Sequence, residues 1–165
     1  MLNKIFTGVL LLILITTTSC ASPKKEVPAE TVMPIGQNTT KEEIQEQLSN
    51  SLVSTESNEE SGIIADNYEE STFAGHQGKI SFFYNEDGSV LYYKWFINEK
   101  DEDKAKEIYS DVCQALSGSY GDGEENNSEA SGLYTTSFTN DKQQITAQLQ
   151  KANGGGYEIS YMVVG

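Results

Sequence analysis

From Lys79 onward the chain alternates apolar and polar positions, switches once to a helical period, and then returns to alternation. Lys79–Asn85 ("KISFFYN") alternates Ile80, Phe82 and Tyr84. Asn85–Gly88 ("NEDG") supplies turn chemistry, with Gly88 free to take a positive φ. Ser89–Ile97 ("SVLYYKWFI") is rich in β-branched and aromatic residues and reads as the returning arm of a hairpin. Over Asp101–Ser117 the period changes: Ala105, Ile108, Tyr109, Val112, Cys113 and Leu116 mark one helical face. Asp101 and Asp103 suit the helix N-terminus electrostatically, and Gly118 and Gly121 end it. Leu133–Thr139, Gln143–Lys151 and Tyr157–Val164 read as three further strands, the last two joined by "NGGG". An earlier strand is expected near Tyr68–Gly75. Clean alternation with short turns predicts an antiparallel sheet with one covered face. The expected fold class is α+β: a strand meander, one long helix and a second meander, forming a single antiparallel sheet with the helix packed on one face. No internal repeat at a fixed period is visible.

Upstream the pattern thins. Thr40 with Glu43 fits a capping box, and Ile44, Leu48 and Leu52 form a narrow apolar stripe, which predicts a short helix over 41–53. Residues 54–62 ("STESNEESG") are polar and acidic and read as a linker. Residues 21–40 hold all three prolines and show no periodicity, as expected of a flexible spacer spanning about 25 Å. All nine Tyr, the single Trp and five of the six Phe follow Gly62. The globular α+β domain is therefore expected at 63–165, preceded by a spacer with its short helix at 20–62.

The first 19 residues have the layout of a secretory signal: Lys4, an apolar run over Ile5–Ile15, then small polar residues. That run is short of the roughly 20 apolar residues needed to span a bilayer. Thr17-Thr18-Ser19-Cys20 resembles the lipobox of bacterial lipoproteins, with Thr17 where the class usually carries an aliphatic residue. The resemblance covers about residues 1–21. It implies cleavage before Cys20, a diacylglyceryl group on the Cys20 thiol, and a domain held at the extracytoplasmic face of the cell membrane. Lys24 and Lys25 would then lie near the lipid head groups. Ordinary signal-peptidase cleavage after Ala21 is the alternative.

Charge narrows the partners. The net charge is −14, from 25 acidic residues against 11 basic, and all the basic residues are Lys. Such a chain repels polyanions, so no nucleic acid is expected. No cofactor and no metal site are expected either. His76, the only histidine, sits between glycines and reads as a turn residue. One His and two separated Cys do not make a zinc site. Neither Gly88 nor Gly123 sets an EF-hand register, although Asp122, Glu124 and Glu125 in "GDGEENNSE" could gather around a weakly held ion. No G-x-S-x-G elbow and no phosphate-cradling Gly-Lys-Ser/Thr loop occurs. Acidic residues are plentiful enough that a carboxylate pair, as in glycoside hydrolases, is the enzymatic alternative. The main expectation is a non-catalytic binding, inhibitory or accessory domain, or else a subunit of a larger envelope assembly. Cys113, on the helix's apolar side, is expected to be a buried, inert thiol.

The hairpin offers the one candidate surface. Leu91, Tyr93, Trp95 and Ile97 share one side of their strand, and Val90, Tyr92, Lys94 and Phe96 the other. An unpaired Lys resists burial, so the second set should face out, together with Phe83. Phe83, Tyr92, Lys94 and Phe96 form the expected binding patch, for an envelope protein or a glycan. The stripe Ile44, Leu48 and Leu52 is the obvious self-made lid for it.

Overall fold

The computed structural model describes residues 32, 35, 39–48, 52–58, 60–128, 130–139 and 143–164. The signal, Cys20 and most of the spacer lie outside the described residues. The elements are α1 (Lys41–Leu48), β1 (Leu52–Asn58), β2 (Ile63–Phe73), β3 (His76–Tyr84), β4 (Val90–Glu99), α2 (Glu102–Tyr120), β5 (Glu124–Ser128), β6 (Leu133–Thr139), β7 (Gln144–Lys151) and β8 (Tyr157–Val164). The eight strands form one antiparallel sheet in the order β1-β2-β3-β4-β8-β7-β6-β5. The fold is α+β, as the alternation predicts.

The sheet buries one face because one parity of its strands is apolar. Tyr93 pairs with Phe82 on one side and Val163 on the other, and the row continues through Ile145 to Phe138. All five are 0–1% exposed. α2 lays Ala105, Ile108, Val112 and Leu116 on this face. Its start is fixed twice: Asp101 accepts the Lys104 N–H at 2.9 Å, and Glu99 accepts the Lys100 N–H at 2.7 Å. The Lys104 ammonium, together with the Lys100 and Asp101 N–H groups, holds the Glu99 carboxyl down to about 2.

α1 lies on the same face. Its capping box is formed, with the Thr40 N–H donating to Glu43 Oε2 at 3.0 Å and the Glu43 N–H to Thr40 Oγ1 at 3.3 Å. Ile44 and Leu48 are buried in the common core. Lys41 and Gln45 each donate to the fully buried Asp66 at 2.9 Å, and Thr55 donates to it at 2.6 Å. Asp66 pairs with Phe82 across β2–β3, so it belongs to the covered face.

Three expectations are corrected. The folded unit does not begin at 63: α1 is part of the core, and Val32 and Ile35 are buried, with Gln143 donating to the Ile35 carbonyl at 3.2 Å. Residues 54–62 are not a linker: β1 is an edge strand, and Leu52 and Val53 belong to it rather than to the helix. The acidic stretch after Gly123 is the other edge strand, β5. Edge strands pair on one side only and are kept polar, which is why their pattern resembles a linker.

The topology also reveals a repeat. α1-β1-β2-β3-β4 and α2-β5-β6-β7-β8 are related by a pseudo-two-fold axis that runs through the sheet between β4 and β8. The turns correspond. Gly62 and Gly132 end the β1–β2 and β5–β6 turns at φ 67° and 66°. In the β3–β4 turn the Asn85 N–H donates to Ser89 O and the Gly88 N–H to Asn85 O. In the β7–β8 turn Ala152 donates to Gly156 and Gly155 to Ala152 in the same way. Trp95 and Tyr161 occupy equivalent places and pair with each other at the axis, their rings 5.7 Å apart and 12° from parallel. Bulges within β2 and in the β3–β4 pair make the spacing slide, so no fixed period exists to be found.

Candidate functional site: the open face of the sheet

With both helices on one face, the other is left to the opposite strand parity. One row across it reads Glu56, Ala65, Phe83, Tyr92, Val164, Gln144. The next reads Asn67, Ser81, Lys94, Met162, Thr146. A third reads Lys79, Phe96, Ser160, Gln148, Thr135. Large apolar side chains are concentrated near β3 and β4, and the β5–β7 side is polar. Phe83, Tyr92, Lys94 and Phe96 therefore share one surface, each partly exposed. Val90 departs from its expected place: the bulge pairs it with Tyr84, and it packs against the core.

The patch is shaped by its own contacts. Phe83 and Tyr92 stand side by side, ring centroids 4.4 Å apart and 19° from parallel. Lys94 Nζ lies 5.5 Å from the Phe96 ring centroid and 2.7 Å from Glu158 Oε1, which also accepts from Gln150 at 3.0 Å. Lys79 is likewise paired, with Glu69 at 2.6 Å. Nearer the β1 edge, Ser81 donates to Asn67 at 2.7 Å, and Asn67 Nδ2 donates to Ser54 and Glu56, each at 3.2 Å. Both lysines on the patch are thus paired with carboxylates. Two shallow grooves flank the patch. One runs beside Phe83 over Ala65 and Ile63, and the other beside Phe96 over Gly78.

The stripe on α1 does not cover this patch. Ile44 and Leu48 are spent on the helix-covered face, and Leu52 is 41% exposed on an edge strand. The lid expectation is corrected, because the parity that carries Asp66 inward fixes α1 to the other side of the sheet. Sequence reasoning missed Ala65, Glu56, and the pairing of Lys94 with Glu158, onto which Gln150 also donates. The outward parity of Glu158 was readable on its own strand, but its meeting with Lys94 depends on the β4–β8 register.

The other candidates resolve as follows. His76 is the first residue of β3, not a turn residue, and its Nε2 lies 2.9 Å from Asp111 Oδ2, tying β3 to α2. Glu124 and Glu125 are neighbours on β5 and so point to opposite faces, which keeps them from converging on an ion with Asp122. Among the described residues no group of three His, Cys, Asp or Glu side chains is placed to hold a metal ion. Cys113 is a free, half-buried thiol, and burial pushes its pKa above the ordinary value. Among the described residues no helix is long and apolar enough to cross a membrane. No protein-family model, curated protein or solved structure matches the chain.

Proposed function

We propose that this protein is a lipid-anchored, extracytoplasmic lipoprotein whose non-catalytic domain binds an envelope protein through the open face of its sheet. One observation carries the binding reading. Both helices lie on the opposite face, and the uncovered face gathers Phe83, Tyr92 and Phe96 on adjacent strands. Localised apolar patches of this kind mark interaction sites more often than plain solvated surface. A protein suits the patch better than a glycan. Phe83 and Tyr92 stack on each other, so what they present outward is a ridge of ring edges rather than a ring lying flat on the sheet for a sugar. The anchor reading rests on the residues around Cys20 and on a two-chain anchor being sufficient for stable attachment.

The test uses the full chain in its native membrane. A photo-reactive phenylalanine at position 96 is expected to give a discrete cross-linked protein, and the same group at Glu107, on the exposed side of α2, none. No product at 96, or equal products at both positions, overturns the binding reading. Palmitate is expected to label the wild type and not Cys20→Ala. An unlabelled wild type, or equal labelling of the two, overturns the anchor.

A further inference from the structure

We infer that the groove beside Phe83 seats an arginine side chain of the partner protein, an inference that rests on the binding reading above. The groove runs along β2. Its floor is Ile63 and Ala65, and its walls are Phe83 on β3 and Glu56 on β1. Glu56, Ala65 and Phe83 lie in one cross-strand row, so the small Ala65 leaves a trough about one strand wide, roughly 5 Å, on either side of its backbone. Tyr92 props the Phe83 ring upright from behind, which turns the free ring face toward the trough.

A side chain entering the trough meets apolar floor, a π face and a carboxylate, in that arrangement. An arginine satisfies all three at once. Its methylene stem covers Ala65 and Ile63, its guanidinium plane lies against Phe83, and its N–H fork reaches Glu56. Lysine offers the stem and the charge but neither the plane nor the fork.

Charge selects the same occupant. The chain carries −14, and Glu56 is the one charged residue among the described residues lining the groove. None of the described residues lining the groove is basic. The lysines of the open face, Lys79 and Lys94, are held by Glu69 and Glu158. An anionic anchor would find no counter-charge there, and an apolar one would leave Glu56 with only the Asn67 amide.

The probe is arginine amide, titrated into the full-length protein in detergent and followed by backbone amide NMR shifts. Saturable shifts are expected at Ala65 and Phe83. The apparent affinity should drop about tenfold when both contacts are removed in Glu56→Gln combined with Phe83→Leu, and glycine amide should give no response. In native membranes Glu56→Arg, an edge-strand surface change, should abolish the cross-link from position 96. No shifts with arginine amide, or shifts unchanged in the double variant, overturn the inference. A cross-link that survives Glu56→Arg also overturns it while leaving the binding reading intact. An otherwise wild-type chain that carries the photo-reactive group at 96 and gives no cross-link removes the binding reading, and this inference with it.

Discussion

Ala74 has a φ of 50°, a left-handed conformation unusual for a residue with a Cβ, and Gly75 beside it has a φ of 78°. The two make the tight β2–β3 turn, and two-residue hairpin turns of this hand want Asn-Gly or Gly-Gly. Alanine pays roughly 1 kcal/mol there, because its Cβ crowds the neighbouring carbonyl and no side-chain bond compensates. Glycine would remove that crowding but add freedom to the unfolded chain. Asparagine relieves the conformation without that loss. Ala74→Asn is therefore expected to raise unfolding stability by about 0.5–1 kcal/mol in urea titrations. An unchanged or lower midpoint would mean that the partial packing of the Ala74 methyl against the core outweighs the backbone term. The glycines of "AGHQG" signal a turn, but the pattern centres it on His76 rather than on Ala74–Gly75, because Ala is not a turn residue by composition. The Asn85–Gly88 turn, with polar residues and one glycine, was readable without ambiguity. Gly78 was unreadable for a different reason. An added Cβ would sit 2.6 Å from the Trp95 ring and 2.7 Å from the Phe96 carbonyl, and that closeness exists only once β3 and β4 have paired.

At the scale of elements, α1 is the test of how polar bonds hold a segment that cannot hold itself. Eight residues are too few for a stable helix in water. α1 keeps its place through Ile44 and Leu48 and through Asp66, onto which Lys41, Gln45 and Thr55 converge. Burial would raise the Asp66 pKa, but the three hydrogen bonds and the Lys41 charge outweigh it, and the carboxyl is held below its ordinary 3.8. A carboxyl depressed by folding adds stability that is complete above its unfolded pKa and disappears as pH falls through the folded one. Asp66 should therefore contribute a constant amount from neutral pH down to about pH 4 and a shrinking amount below it. Asp66→Ala is expected to cost about 3 kcal/mol at pH 7, because it removes three hydrogen bonds to a buried carboxylate, one of them from the Lys41 ammonium. Asp66→Asn should flatten the acid end of the stability–pH curve relative to wild type. Parallel acid limbs in the two proteins would place the acid sensitivity in other carboxylates. The helix itself was legible from its capping box and stripe, but its site was not. Asp66 looked like one more acidic residue in a polar stretch, and nothing local says that it is 0% exposed. β1 and β5 were illegible because an edge strand needs no apolar face, whereas the strands between them, β3, β4, β7 and β8, carry the period that the core imposes. The outward placement of Phe83, Tyr92, Lys94 and Phe96 was legible for the same reason, since they are the residues left when the covered parity is removed. The groove beside it required β1.

At the scale of the whole molecule, the described residues from α1 to β8 form two α-ββββ units that share one central pairing, and the two are unequally covered. α2, of 19 residues, lies over β6, β7 and β8, while α1 has only 8 residues to lay against the first unit. Units of about 60 residues are marginal alone, since too little of their surface is buried on folding. The seam compensates. Trp95 rests on Gly78 and donates to the Ser71 carbonyl at 3.1 Å within its own unit, and its other side is closed by Tyr161 of the second. Without the second unit β4 becomes an edge, and Trp95, now 0% exposed, faces water. Because Trp95 is the only tryptophan, its emission reports the seam directly. Divided between Lys100 and Asp101, the chain is expected to yield a first fragment with water-like, red-shifted emission. Adding the second fragment should restore the buried, blue-shifted spectrum in one-to-one proportion. Native emission from the first fragment alone would mean that Gly78, Ser71 and α1 suffice to shield the ring. The seam would then be a contact between two independent domains rather than the completion of one core. If the fragments instead recombine, the seam completes one core, and the open face is continuous across it. Its aromatic side is built by β3 and β4, yet Glu158, which holds Lys94 beside Phe96, comes from β8 of the other unit.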